Sequence, residues 1–285
     1  MPELPEVETV VRGLRPRLRG RRIERLEIRQ PLVVRGSLAG FRRALTGARV
    51  TRLGRRGKYI VVELRAKRNR SRSDYWIVHL GMTGQLYCCS PEAALEKHTH
   101  VVAWLSGGAP RQRRGEQLRY RDPRRFGKML LLKSGELEEY FAALGPEPLR
   151  ISFARFCGLF AGRRAPVKSL LLNQNRLRGL GNIYSSEALF VAGLHPARTA
   201  GALNRAELKR LYDSLRRVLR EAIAGQGTTV SDYRTADGRP GDYQNSLRVY
   251  DREGEPCPRC GGAIERLVLA GRSAHFCPKC QPARE

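Results

Sequence analysis

The chain has 285 residues, 41% of them hydrophobic, enough to bury a core in one large domain or in two to three small ones. No apolar run approaches the roughly 20 residues that cross a bilayer, and no charged-then-apolar leader opens the sequence, so a cytoplasmic protein without a membrane partner is expected. With 54 Lys and Arg against 27 Asp and Glu, the formal net charge is +27. Such an imbalance concerns partners rather than fold: nucleic acid leads, because neutralising phosphates releases counterions. The alternatives are a general taste for Arg without a binding role and, more weakly, an anionic membrane surface, for which no helix pairs a basic face with exposed aromatics.

The chain opens Met1-Pro2-Glu3-Leu4-Pro5-Glu6-Val7-Glu8. Pro2 is small enough to allow removal of the initiator Met, which would leave a secondary α-amine, easier to deprotonate at neutral pH than a lysine. Attack of that amine on a carbonyl-like carbon gives a cationic iminium that acidifies the neighbouring C–H, and Glu3 could move protons at the same centre. Pro5 suits a first helical turn. Val7, Val10, Val11, Leu14 and Leu18 follow at helical spacing, so residues 1–20 are predicted as a helix ending near Gly20. Alone, this segment is also readable as an acidic helix start with no chemistry.

From Ile23 to about Leu132 the pattern is of strands, among them 59–64, 76–80, 101–105 and 128–132, with no helical crossovers; this predicts an antiparallel sandwich or barrel. Basic turns at 66–73 and 107–114 are expected to be solvated and able to add diffuse DNA affinity. Lys58, after Arg55-Arg56-Gly57, stands where it could point into a cleft or simply into solvent. Met82, between glycines in His79-Leu80-Gly81-Met82-Thr83-Gly84, and Phe126, in Arg121-Asp122-Pro123-Arg124-Arg125-Phe126-Gly127, could wedge into a base step while an Arg takes a base edge or phosphate. Taken alone, each reads first as an ordinary turn residue rather than a wedge.

Gly145-Pro146-Glu147-Pro148 marks a boundary, beyond which the period becomes helical. Leu180-Gly181-Asn182-Ile183-Tyr184 opens a short helix that runs through Ser185 to Ala192 and is closed by Gly193 and Pro196. Asn182 and the free N–H groups there suit a phosphate, or form a plain cap. Asn204 with Glu207 has the form of a capping pair before the stripe Leu208, Leu211, Tyr212, Leu215, Val218, Leu219, Ala222 and Ile223, which Gly225 stops. Two helices joined by a tight turn suggest a helix-turn-helix arrangement. A Gly-, Asp- and Thr-rich loop, 226–245, leads to the last module.

That module holds Cys257-Pro258-Arg259-Cys260 and Cys277-Pro278-Lys279-Cys280, two Cys-x-x-Cys knuckles sixteen residues apart. Four thiolates so spaced can close one tetrahedral zinc site, and a module this short needs the metal to stay folded. Disulfides or redox pairs are the alternatives, disfavoured in a reducing compartment. Between the knuckles, a hairpin over 264–276 carries Arg266, Arg272 and His275, and an Arg at such a tip can enter a DNA groove. Cys88, Cys89 and Cys157 are expected to pack as small hydrophobes.

Taken together, Pro2-Glu3-Leu4-Pro5-Glu6-Val7-Glu8, Arg56-Gly57-Lys58-Tyr59, His79 to Gly84, Asp122 to Gly127, Gly181-Asn182-Ile183-Tyr184 and the double Cys-x-x-Cys resemble the bacterial formamidopyrimidine-DNA glycosylases, in family order and from end to end of the chain. The endonuclease VIII branch is a poorer match, since glycine is typical there at the place of Leu4. The resemblance implies an α+β multidomain protein: an N-terminal antiparallel β-sandwich flanked by helices (1–140), a helix–two-turn–helix DNA-binding domain (150–225), a lesion-capping loop (226–245) and a C-terminal zinc-finger β-hairpin (246–282), with DNA held in the cleft between. It implies a monomeric bifunctional enzyme acting on duplex DNA that contains oxidised purines or abasic sites. Pro2 would be the Schiff-base nucleophile, Glu3 the acid/base, and Lys58 and Arg272 the proton donors of β- and δ-elimination. Met82, Arg124 and Phe126 would fill the space left by the extruded nucleotide, beside Arg125. His98, Arg163, Lys168 and Asn182 would contact DNA. Cys257, Cys260, Cys277 and Cys280 would hold one structural zinc.

The chain departs from the family pattern at Asn173, where Asp is usual, and at Ser185-Ser186-Glu187; both could alter how the helix pair packs. Two other functions stay open on the residues alone: a non-enzymatic zinc-ribbon DNA-binding protein and an endonuclease VIII-like enzyme for oxidised pyrimidines.

Overall fold

The structure, a computed structural model, describes residues 1–66, 73–106, 116–229 and 233–283. The basic turn at 107–114 lies outside these residues, as does the one at 66–73 apart from Ala66 and Ser73. The chain forms two compact units: Met1–Ala142 with Gln226–Asp242, and Ala143–Gly225 with Tyr243–Glu285.

The first unit contains α1 (Leu4–Leu18), β1 (Ile23–Ile28), β2 (Val34–Arg35), α2 (Leu38–Leu45), β3 (Arg49–Arg56), β4 (Tyr59–Arg65), β5 (Ser73–His79), β6 (Gln85–Cys89), β7 (Thr99–Leu105), β8 (Glu116–Arg121), β9 (Lys128–Leu132) and α3 (Glu136–Phe141). The strands make a four-stranded sheet, β1-β7-β8-β6, and a five-stranded one, β2-β9-β5-β4-β3. All pairs are antiparallel, as the alternating apolar runs predict, except the two-residue β2, which lies parallel to β9. Val101 and Ala103 of one sheet and Ile60, Val62, Trp76 and Val78 of the other are buried in one apolar core. Helix α1 joins that core through Val7, Val10, Val11, Leu14 and Leu18, all without solvent exposure, so the predicted helical stripe is what docks it. It rests on β3, β4 and β6.

Residues 226–242 follow the helices in sequence but pack on α1. The Glu6 carboxylate accepts the Thr228 N–H at 2.8 Å. The buried Tyr233 hydroxyl donates to the Gln226 carbonyl at 3.0 Å, and the Cys88 N–H reaches the Ala236 carbonyl at 3.3 Å. Gly13 is required here, because a Cβ at that position would stand 2.7 Å from Ala236 Cβ.

The second unit holds α4 (Phe153–Phe160), α5 (Val167–Leu172), α6 (Asn182–Ala192), α7 (Arg205–Ala224) and the hairpin β10 (Glu265–Leu269) and β11 (Arg272–Phe276). The expected cap of α7 is present in both directions: Asn204 Oδ1 accepts the Glu207 N–H and the Glu207 carboxylate accepts the Asn204 N–H, each at 2.9 Å. The two departures from the family pattern are absorbed locally. Asn173 caps the end of α5 and accepts the Asn175 N–H at 2.9 Å, and the Ser186 hydroxyl meets the Lys168 ammonium at 2.8 Å. Helix α6 packs against α5, α7 and β11 and is buried along most of its length.

Glu187, fully buried on α6, accepts the backbone N–H groups of Arg248, Val249 and Tyr250 at 2.9–3.1 Å, and so ties the approach to the hairpin module to the helix. Phe190 of α6 packs with Val249, Ile264, Cys257 and Cys277 in a small apolar cluster beneath the module. An amide cannot replace both oxygens of that acceptor set. We therefore expect Glu187→Gln to destabilise the protein by about 1–3 kcal/mol in urea unfolding. Lys209→Met, which breaks an ion pair whose two side chains are both 55% exposed, should change stability by less than about 0.5 kcal/mol.

Candidate active site and metal centre

Pro2 and Glu3 are buried at the head of α1, with Glu3 at the N-cap and 3% exposed. One Glu6 oxygen accepts the Glu3 N–H at 2.7 Å while the other holds Thr228. A single carboxylate thus fixes the start of the chain and the beginning of the 226–242 segment. Lys58 lies in the two-residue turn between β3 and β4, after Gly57 at φ +56°, and is only 6% exposed, not solvated as a turn lysine commonly is. Arg55 links this turn to α1: its guanidinium bonds Glu8 at 3.0 Å and the Gly57 carbonyl at 2.9 Å. Burial alone would raise the Glu8 carboxyl, but hydrogen bonds and charge from Arg12 and Arg55 hold it below its ordinary range.

His79, at the end of β5, pairs with Tyr59 across the sheet, with ring centroids 4.8 Å apart. Its Nδ1 accepts the Gly81 N–H at 3.2 Å. Burial, then the Lys58 charge, lowers its pKa to about 4, so the ring is neutral beside the lysine at physiological pH. In the sequence His79 is only the first residue of the 79–84 motif, and its burial beside Lys58 is what marks it out. Because the folded value lies below the ordinary 6.5, the unfolded chain binds the extra proton first. His79 should therefore make stability fall as pH drops from 6.5 toward 4, by up to about 3 kcal/mol, and add no pH dependence above that window. Urea midpoints of wild type and His79→Gln measured between pH 4 and 7 should diverge in that sense.

The β5–β6 and β8–β9 loops bring Met82 together with Arg124, Arg125 and Phe126. Met82 is 40% and Phe126 52% exposed, unusual for such apolar side chains, and the Arg124 guanidinium sits 4.7 Å over the Phe126 ring. The loops touch through backbone: a Cβ on Gly81 would lie 2.4 Å from the Gly127 nitrogen. His98, exposed and in the left-handed region at φ +67°, stands at the start of β7. Slight desolvation and the charges of Lys97 and Arg121 hold its pKa below the ordinary value.

In the second unit, Lys168 and Asn182 converge on Ser273, the neighbour of Arg272. Lys168 has no solvent exposure; its ammonium donates to the Ser273 carbonyl at 2.6 Å as well as to Ser186. Asn182, the first residue of α6, donates through Nδ2 to Ser273 Oγ at 3.1 Å. Arg272 is exposed beside the Ala270-Gly271 turn, both of whose residues have positive φ, as a two-residue hairpin turn requires. Arg163 is exposed in the turn after α4.

The sulfur atoms of Cys257, Cys260, Cys277 and Cys280 all lie within 4.8 Å of one another, with Cys257–Cys280 at 3.9 Å and Cys260–Cys277 at 3.4 Å. Four sulfurs bound tetrahedrally at about 2.3 Å from an ion would sit roughly 3.8 Å apart, so the set fits zinc. A backbone hydrogen bond at Gly262 and the neighbouring thiols bring Cys260 down to about 7, while burial and the same neighbours push Cys280 up to about 12. A dication is what lets the four thiols ionise together. The site is structural: four cysteines leave no position open for water. Elemental analysis should find one zinc per chain. Cys277→Ser, or removal of the metal by a strong chelator, should lower thermal stability and unfold the hairpin module, read in its amide resonances.

Family models match consecutive parts of the chain: the formamidopyrimidine-DNA glycosylase N-terminal domain over residues 1–129, its H2TH domain over 144–234, and a zinc finger found in FPG and IleRS over 254–283. The formamidopyrimidine-DNA glycosylase of Symbiobacterium thermophilum is 46% identical, over 100% of this chain and 90% of its own length. That of Paracoccus denitrificans is 44% identical, over 99% and 100%. Among solved structures, Lactococcus lactis Fpg bound to DNA with an abasic site superposes with a TM-score of 0.89 at 35% identity, covering 99% of this chain and all of that one. The same enzyme with N7-benzyl-Fapy-dG DNA gives 0.88 at 35%, again over 99% and 100%. Full-length likeness at this identity, together with the zinc-binding cysteines, settles the assignment: the chain belongs to the formamidopyrimidine-DNA glycosylase family.

Proposed function

We propose that the protein is a DNA glycosylase and abasic-site lyase of base-excision repair, acting in the cytoplasm as a monomer on duplex DNA that carries oxidised purines such as 8-oxoguanine and formamidopyrimidines. The observation that carries this reading is the buried Pro2-Glu3 pair at the head of α1, held by Glu6 beside a capping segment and in the same unit as the buried Lys58. A DNA-binding ribbon without catalysis gives no reason to bury a lysine there.

A base inside a duplex is out of reach and must be extruded, at a cost of a few kcal/mol. Met82, Arg124 and Phe126 offset that cost by occupying the gap; Arg125, His98, Arg163 and Asn182 hold the backbone, and Lys168, enclosed as it is, acts by keeping Ser273 and Arg272 in place. With Met1 removed, the Pro2 nitrogen attacks C1′ of the deoxyribose and the base leaves with the bonding pair, taking up the proton that the Pro2 nitrogen sheds; Glu3 then protonates O4′ as the C1′–O4′ bond opens, and the nitrogen lone pair forms the iminium. The resulting iminium acidifies C2′–H; loss of that proton expels the 3′ phosphate, protonated by Lys58, and a second elimination assisted by Arg272 expels the 5′ phosphate. Hydrolysis of the imine returns the amine and leaves a one-nucleotide gap. The zinc keeps the hairpin that carries Arg272 folded and takes part in no bond-making step.

Borohydride should trap wild-type protein covalently on 8-oxoguanine duplex, and protein with a blocked N-terminal amine should neither trap nor release the base. Blocked protein that cuts at wild-type speed would overturn the scheme. Faster incision of thymine-glycol duplex than of 8-oxoguanine:C duplex would instead favour the endonuclease VIII-like specificity.

A further inference from the structure

The two loops that carry Met82 and the Arg124–Phe126 pair are joined at one buried group to which the mechanism above gives no role. Asp122 is fully buried, and each of its polar atoms is in use. The carboxylate accepts the Thr83 hydroxyl through Oδ1, and the Tyr120 hydroxyl at 3.0 Å and the Gly127 N–H at 2.8 Å through Oδ2. Its N–H donates to the His98 carbonyl at 3.0 Å. Its carbonyl accepts from His100 Nε2 at 2.8 Å, which must donate there, and from the Arg125 N–H at 3.2 Å. Thr83, 5% exposed, closes the circuit: its oxygen also accepts the Arg124 N–H at 3.2 Å. Every exposed side chain to which the first unit's gap-filling or backbone contacts are attributed therefore lies within a few bonds of Asp122.

The glycines around this point leave the loops no room to slide. A Cβ on Gly127 would fall 1.8 Å from the Tyr120 hydroxyl, and one on Gly84 would fall 2.2 Å from the Leu80 carbonyl and 2.9 Å from the same hydroxyl. Burial and Asp122 push the Tyr120 phenol above its ordinary range, so it stays protonated and remains a donor. A fully satisfied buried carboxylate of this kind fixes geometry, because any movement of one loop leaves an acceptor or donor unpaired in a dry environment.

We propose that Asp122 and Thr83 are positioning residues that couple the Met82 loop to the Arg124–Phe126 loop, so that the three side chains enter the duplex as one preset wedge. The proposal rests on the reading of this protein as a base-extruding glycosylase. It locates discrimination between damaged and intact duplex in the rigidity of a buried hydrogen-bond circuit as well as in the wedge residues themselves. A single-stranded abasic site presents no stacked gap to fill, so the circuit has no bearing on the lyase step with that substrate.

The test uses full-length, zinc-loaded protein. Thr83→Val removes the hydroxyl that links the loops and leaves Tyr120 and Gly127 on Asp122; Thr83→Ser keeps the hydroxyl; Asp122→Asn weakens the acceptor set. Thr83→Val and Asp122→Asn should lower the ratio of affinity for a tetrahydrofuran-containing duplex over intact duplex by about tenfold, the worth of one buried hydrogen bond. Both should still cleave a single-stranded abasic oligonucleotide within about twofold of wild type, and Thr83→Ser should restore the duplex ratio. Met82→Ala and Phe126→Ala should be non-additive in the wild-type background and additive in Thr83→Val. Unchanged discrimination in Thr83→Val, equal coupling in both backgrounds, or loss on every substrate in step with thermal stability would overturn the proposal. Failure of wild-type protein to incise oxidised duplex would instead sink the glycosylase reading, so the two failures are distinguishable.

Discussion

A carboxylate taken out of water must have its hydrogen bonds supplied by the protein, and the Glu6 carboxylate, 2% exposed, receives them from two places far apart in the chain. One oxygen takes the Glu3 N–H and the other the Thr228 N–H, 222 residues away in sequence. The first bond sets the direction in which Pro2 and Glu3 leave the helix. The second brings the segment after α7 back onto α1, where Tyr233, Ala236 and the cleared space at Gly13 complete the contact. The position of the amine on which the proposed chemistry depends is thus fixed by the same group that fixes the segment proposed to close over the extruded base.

The same device recurs wherever the protein has to hold an irregular segment. Glu187 collects three consecutive N–H groups ahead of the hairpin module. Asp122 gathers the two loops at the end of the sandwich. Lys168, a buried cation, is compensated by Ser186 and the Ser273 carbonyl. Each of these groups costs free energy to bury and regains it only when all its partners are in place, so each favours one arrangement of its loops over many. Short aliphatic contacts are too tolerant of small shifts to do this.

Charge plays a different part. Many of the basic side chains are exposed and are suited to long-range attraction of a polyanion and to phosphate contacts, which depend on salt. Of the two basic groups assigned to the eliminations, Lys58 is shielded, buried beside a His79 kept neutral by burial and by the lysine itself, whereas Arg272 stays exposed at its hairpin turn. Burial thus sets Lys58 apart from the exposed basic side chains suited to attraction, although both use the same residue types.

Periodicity was enough to find α1, α7 and the strands β4, β5, β7 and β9, because a helix or strand must present its apolar face at a fixed interval. The cysteine spacing was enough to find the zinc site, since metal geometry constrains ligand spacing directly. The ordered set of short motifs carried the family. Sequence could not show that Lys58 is enclosed, that Lys168 turns inward to Ser273, or that residues 226–242 belong by packing with α1 rather than with the helices before them. Asp122, Thr83 and Glu6 were visible as letters in motifs but without a role. A buried polar residue is defined by its partners, and these lie tens to hundreds of positions away, beyond any local pattern; only the folded chain brings them within hydrogen-bond reach.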